Sequence, residues 1–143
     1  MSFTRDLAFG KSWEQVAKKY IPEDEVVVEC PEGLFKQYDF KTNMSAYEVK
    51  SDRLAYKYNY SSMFIEYENN GKPSGINATT ADYWFYFMVK PEGGYIVYEI
   101  PVNLLKEECK KNVRTVSGGD GMRSKGYIIP GKVFQNLILP PLG

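Results

Sequence analysis

The chain has 143 residues, with 18 basic and 18 acidic side chains, 43% hydrophobic residues and no histidine. That length suits one compact domain, residues 1–143, and is short for two. Without histidine, Ser-His-Asp and Cys-His catalysis and histidine-containing zinc sites are excluded, so a hydrolase built on this chain must use carboxylates, lysine, tyrosine or metal-activated water.

In chain order, residues 5–20 read as a helix, with Phe9, Trp13, Val16, Ala17 and Tyr20 at helical spacing. Glu14 borders that stripe, and Pro22 ends it. Glu25–Cys30 is rich in β-branched residues and reads as a strand, followed by a Pro31-Glu32-Gly33 turn. Residues 35–40 and 46–51 read as two strands joined by the short polar linker Lys41–Ser45, a hairpin. Ala46, Glu48, Lys50 and Asp52 then share one face, and Tyr47, Val49 and Ser51 the other. Pairing the strands brings Asp39 beside Glu48.

The alternating Tyr56, Tyr58 and Tyr60 predict an extended segment over Arg53–Ser62, its rings packed on the sheet or turned to a substrate. Met63–Tyr67 reads as a strand with Glu66 at its centre, a candidate further carboxylate. Residues 69–75 form a loop whose Gly71, Ser74 and Gly75 can bring backbone N–H groups to a phosphate. Thr79 as N-cap, with Asp82 three residues on, predicts a short helix near 80–84. Phe85–Val89 and Tyr95–Ile100 read as strands around the Pro91–Gly94 turn, and Asn103 as the cap of a helix to Lys111. Ser117–Gly121 reads as a flexible loop, without a Walker or Rossmann fingerprint. Gly126–Pro130 and Gly131–Leu137 read as a last strand and a last short helix.

This order predicts an α/β or mixed α+β fold with a central mixed sheet. Cys30 and Cys109 lack CxxC spacing and read as small apolar residues. With no apolar run near ~20 residues and no apolar leader after Met1, the expectation is an intracellular, cytoplasmic protein that makes no membrane contact. The C-terminal third carries Lys106, Lys110, Lys111, Arg114, Arg123, Lys125 and Lys132 against Glu107, Glu108 and Asp120. That is either ordinary solvated surface or a phosphate-binding patch.

Asp39 and Glu48-Val49-Lys50 carry the most specific chemistry. Two carboxylates and an ammonium on one patch suit a hard divalent cation such as Mg²⁺ or Mn²⁺, with the lysine offsetting charge on a phosphate. The competing reading is a solvated sheet edge laced with salt bridges.

Asp39…Glu48-x-Lys50 resembles the motif of the PD-(D/E)XK nuclease superfamily. The segments Phe64-Ile65-Glu66-Tyr67-Glu68, Gly71–Ile76 and Thr79–Trp84 are similar to those that follow the motif in small viral resolvase-like members, and Asp6–Glu14 resembles their first helix. The chain departs from the pattern in having Tyr38, not proline, before Asp39. The resemblance implies a restriction-endonuclease-like αβββαβ core and a DNA endonuclease acting in phage-type DNA processing, junction resolution or repair. It implies a cation held by Asp39, Glu48 and the Val49 carbonyl, with Glu14 joining the site, Lys50 at the attacking water, and possible homodimers. Ser74, Lys110, Lys111, Arg114, Arg123 and Lys125 are the candidate DNA contacts. Two alternatives are a non-cleaving nucleic-acid-binding module on the same fold and a structural or adaptor protein.

Overall fold

The computed structural model describes residues 12–31, 38–111, 114–118 and 123–142. In chain order its elements are α1 (12–18), β1 (Val28–Glu29), β2 (Phe40–Lys41), β3 (Ala46–Asp52), β4 (Ser62–Asn69), β5 (Lys72–Pro73), β6 (Tyr83–Val89), β7 (Tyr95–Pro101), α2 (Val102–Lys111), β8 (Thr115–Gly118) and β9 (Ser124–Pro130). Three 3₁₀ turns, Ala55–Tyr58, Gly75–Asn77 and Gly131–Leu137, lie between and after them.

The strands build two sheets. The first has the order β1-β2-β3-β6-β7, and the second β5-β4-β9-β8. β6 is the most apolar run of the chain, Tyr-Trp-Phe-Tyr-Phe-Met-Val, and its five middle residues are buried. Such a continuous run marks a strand covered on both faces. It pairs parallel with β3 and antiparallel with β7, which makes the first sheet mixed. β7 is shielded at its outer edge by the C-terminal segment, through a Tyr98–Ile138 bridge and a bond from Leu139 N to Val97 O.

Each face of the first sheet has its own core. Tyr47, Phe85, Phe87 and Val97 pack with Phe40 against Ala17 and Ile21 of the α1 segment. Trp84, Tyr86, Met88 and Ile100 pack the opposite way, against Met63 and Ile65 of β4, Ile129 of β9 and Leu105 of α2. The fold is thus mixed α+β with a central mixed sheet flanked by helices. No helix of the described residues is long and apolar enough to cross a membrane.

Several expectations meet the structure closely. β3, β6, β7 and α2 fall where patterning placed them, and the Gly131–Leu137 turn has the predicted bounds. The Pro91–Gly94 turn uses positive φ at Gly93 and Gly94, a conformation open to glycine. Residues 5–11 and 35–37, parts of the predicted first helix and second strand, lie outside the described residues.

Other expectations are corrected. No α-helix forms near 80–84: β6 starts at Tyr83, and Asp82 accepts a bond from Ala46 N at 2.8 Å instead of capping a helix. Arg53–Ser62 is not extended, because Ala55–Tyr58 is a 3₁₀ turn closed by Asn59 and Tyr60 at φ of 55° and 57°. α2 begins at Val102, so Asn103 is inside its first turn. Thr115–Gly118, partly assigned to a flexible loop, is a strand paired with β9. The link from β3 to β6 contains no α-helix but β4, β5 and two 3₁₀ turns, so the αβββαβ order does not hold there.

Candidate active site

β3 carries the site. Its alternation puts Tyr47 on the α1 face, stacked on Phe40 and Phe85, and Glu48 and Lys50 on the other face, opposite Trp84 and Tyr86 of β6. β2 pairs Phe40 with Tyr47, and Asp39 directly precedes that pair. Asp39 N donates to Tyr47 O at 2.8 Å, and the Asp39 carboxylate accepts from Val49 N at 2.6 Å. Residues two apart in a strand aim their backbone groups at the same edge. The Val49 carbonyl therefore lies on the edge that Asp39 occupies.

The Glu48 side chain is held at both oxygens. Oε2 lies 2.6 Å from Lys50 Nζ, and Oε1 accepts from the Thr79 hydroxyl at 2.8 Å. Thr79 Oγ1 in turn accepts from Trp84 Nε1 and from Ala81 N, each at 3.2 Å. Both nitrogens can only donate, so the hydroxyl proton is turned to Glu48. Lys50 Nζ also lies over the Trp84 ring, 5.1 Å from its centroid. Glu48 is 9% exposed and β3 is flanked on both sides by strands. The solvated-edge alternative is corrected accordingly: this is an interior strand carrying a largely buried carboxylate, an arrangement that costs desolvation energy.

Glu14 is 6% exposed on α1. Trp13 packs at the level of Phe87 and Tyr20 at that of Phe85, so α1 runs against the direction of β6 and β3. Lys18 sits over Phe40 and pairs with Glu29. α1 packs on the Tyr47 face of the first sheet, so the expectation that Glu14 joins the site is corrected: it lies on the face opposite Glu48 and Lys50.

Among the described residues no three Asp, Glu or Cys side chains converge as a metal cluster. The oxygens that could hold a cation at β3 are the Asp39 and Glu48 carboxylates and the Val49 carbonyl, all hard, with Glu48 already bound to Lys50 and Thr79 and Asp39 to Val49 N. That set fits Mg²⁺, which usually takes one or two carboxylates and keeps several waters.

No known protein family, curated protein or solved structure matches this chain.

Next to the β3 residues the two sheets enclose an open cleft of about 890 Å³. Lys50, Asp52, Trp84 and Tyr86 line it from the first sheet, and Phe64, Glu66, Val116 and Gly118 from the second. Asp52 accepts from the Tyr86 hydroxyl at 2.8 Å and from Leu54 N at 2.9 Å. Burial and then the Asp52 carboxylate push the Tyr86 hydroxyl well above its ordinary pKa, so it stays a donor. Glu66, the candidate further carboxylate, faces this cleft and accepts from the Ser74 hydroxyl at 2.8 Å.

The candidate DNA contacts have different surroundings. Ser74 N donates to Tyr67 O, so that N–H is already used within the sheet. Lys125 pairs with Glu68 at 3.2 Å, and Lys111 with Glu108 at 3.4 Å. Lys106 and Lys110 border a separate depression beside Cys109, whose thiol is pushed up to about 11 by burial and then by Glu108. Arg123 and Lys132 are exposed. Of the basic residues in that third, Arg114 alone lines the main cleft. Sequence reasoning missed Thr79 as the partner of Glu48 and Phe64 and Arg53 as cleft residues. Lys50, Tyr58, Glu66 and Arg114, which also line the cleft, were named from the sequence, and Asp52 was legible from its alternation with Lys50.

Proposed function

We propose that this chain is a divalent-metal-dependent DNA endonuclease with its centre at Asp39, Glu48 and Lys50. One observation carries the reading: the Asp39 carboxylate accepts from Val49 N, within the Glu48-Val49-Lys50 segment whose two charged side chains share one face of β3 and pair at 2.6 Å, with Lys50 lining the cleft. A purely structural Glu48–Lys50 pair would gain little from being buried on an interior strand. The antiparallel β1-β2-β3 run matches the three consecutive strands of the core that the motif resembles, whereas the link from β3 to β6 departs from it.

Asp39, Glu48 and the Val49 carbonyl would hold the cation. When bound, the ion supplies Lewis-acid stabilisation of phosphate charge and lowers the pKa of water. Thr79 fixes the rotamer of Glu48 through Oε1 and leaves Oε2 directed at Lys50. Lys50 orients the attacking water and offsets the charge that grows on the phosphate.

The test is incubation of purified protein with labelled linear, nicked, flapped and four-way-junction DNAs in Mg²⁺, Mn²⁺ or EDTA. Cleavage in the metal arms alone is expected. Salt-sensitive binding without cleavage in any arm would favour a non-cleaving binding module instead.

A further inference from the structure

Phe64 pairs with Ile128 of β9, and its ring extends along the sheet over two glycines. A Cβ on Gly126 of β9 would lie 2.5 Å from Phe64 Cε2, and one on Gly118 of β8 would lie 3.4 Å from Cζ. The ring is therefore laid down on two strands kept bare beneath it. Met63 and Ile65, its chain neighbours, are fully buried in the core, whereas Phe64 is half-buried and lines the cleft. The exposed ring of Tyr58, 66% accessible, and Leu54 stand at the same cleft. Lys50, Arg53 and Arg114 supply cations there; Asp52 and Glu66 are the acidic members, held by Tyr86 and by Ser74.

Apolar ring faces beside cations match the two halves of an unpaired nucleotide. A base in a duplex has both faces covered, and such a wall has nothing to offer it. An unpaired base presents a π-face to a ring and its phosphate to a cation, without regard to sequence. We propose that this cleft binds unpaired DNA, a single strand or the single-stranded arm of a flap, with one base stacked on Phe64 and its phosphates at Arg53 and Arg114. The inference rests on the nuclease reading for its choice of DNA and for placing the strand against Lys50. It makes the enzyme selective for substrates with an unpaired segment.

Binding in EDTA tests this without any cutting. A labelled oligothymidylate and a duplex of equal length are titrated by fluorescence anisotropy against wild type, Phe64→Leu, Phe64→Tyr and Tyr58→Ala. The single strand should bind wild type more tightly than the duplex. Phe64→Leu should weaken single-strand binding by about 5- to 150-fold, the worth of one stacked base, with duplex binding unchanged. Phe64→Tyr should restore it. Tyr58→Ala, at an exposed site, serves if Phe64→Leu does not fold, and should also weaken the single strand selectively. Equal affinity for the two DNAs, or an unchanged single-strand affinity in the folded variants, overturns the inference. A protein that cuts duplex DNA and ignores Phe64 would sink the cleft assignment alone; one that binds single strands through Phe64 but never cuts would sink the nuclease alone.

Discussion

Thr79→Val removes one hydroxyl and changes little else in shape, which makes it a sharp probe of how Glu48 is held. The bonds at that oxygen include the donation to Glu48 Oε1 at 2.8 Å and the acceptances from Trp84 Nε1 and Ala81 N at 3.2 Å. A hydrogen bond to a charged group contributes ~1.5–3 kcal/mol, and a buried donor left without its acceptor costs ~1–3 kcal/mol. Trp84 is 1% exposed, so water does not readily replace the lost acceptor. The terms share one oxygen and do not add, which leaves about 2–4 kcal/mol of destabilisation, or roughly 7–13 °C in Tm for a chain of this size. Thr79→Ser should regain most of it. Under the nuclease reading, a carboxylate that loses its orienting partner also loses metal affinity or activity by ~10–100-fold. Urea denaturation and single-turnover cleavage at graded Mg²⁺ measure the two effects on the same preparations. A Thr79→Val protein as stable and as active as wild type would refute the reasoning.

Lys50→Ala should lower single-turnover cleavage by a factor on the order of 10²–10³, as for loss of one transition-state donor, while DNA affinity in EDTA changes far less; equal loss of both would make Lys50 a binding residue only. Gly75 holds φ +51° and a Cβ there would collide with the Glu66 carbonyl oxygen, so Gly75→Ala should cost upwards of ~2 kcal/mol in urea denaturation. The Glu99 carboxyl is raised above its ordinary pKa, first by burial and then by Glu25. Its contribution to stability is full below the unfolded-state pKa and is lost as pH rises through the folded one. Glu99→Gln should therefore raise Tm near neutral pH, with the gain gone by about pH 4; a gain that persists in acid would contradict this.

Local pattern carried much of the fold. The alternation of Tyr47 and Val49 with Glu48 and Lys50, the apolar run of β6 and the Gly93-Gly94 turn each have one physical solution, and each is found. Long-range pairing had no such signal. β4 meets β9 across some sixty residues, and nothing in either segment names the other. The Thr79–Asp82 pair shows why the helix near 80–84 failed. Its capping groups found stronger tertiary partners, Glu48 and Ala46 N, that tie β6 to β3. The alternating tyrosines misled because the left-handed Asn59 and Tyr60 turn the chain where period two assumes extension. At β3, the shared face of Glu48 and Lys50 was legible because strand alternation alone sets it, while Asp39 is tied to the same segment through Val49 N. The basic residues were not, because charge counted along the chain says nothing of which neighbours, such as Glu68 and Glu108, already pair them.

The centre itself is tested most directly by Asp39→Asn and Glu48→Gln, each close in shape to the wild-type side chain but without its charge. Wild type and both variants are incubated with the labelled DNA panel in Mg²⁺, Mn²⁺ and EDTA, after thermal unfolding has checked that all three are folded. The account predicts cleavage by wild type in the metal arms only, no cleavage by either variant, and DNA binding in EDTA that is kept or improved as a negative charge facing phosphates is lost. Cleavage by both folded variants at the wild-type rate, or cleavage by wild type that is unaffected by EDTA, would contradict it.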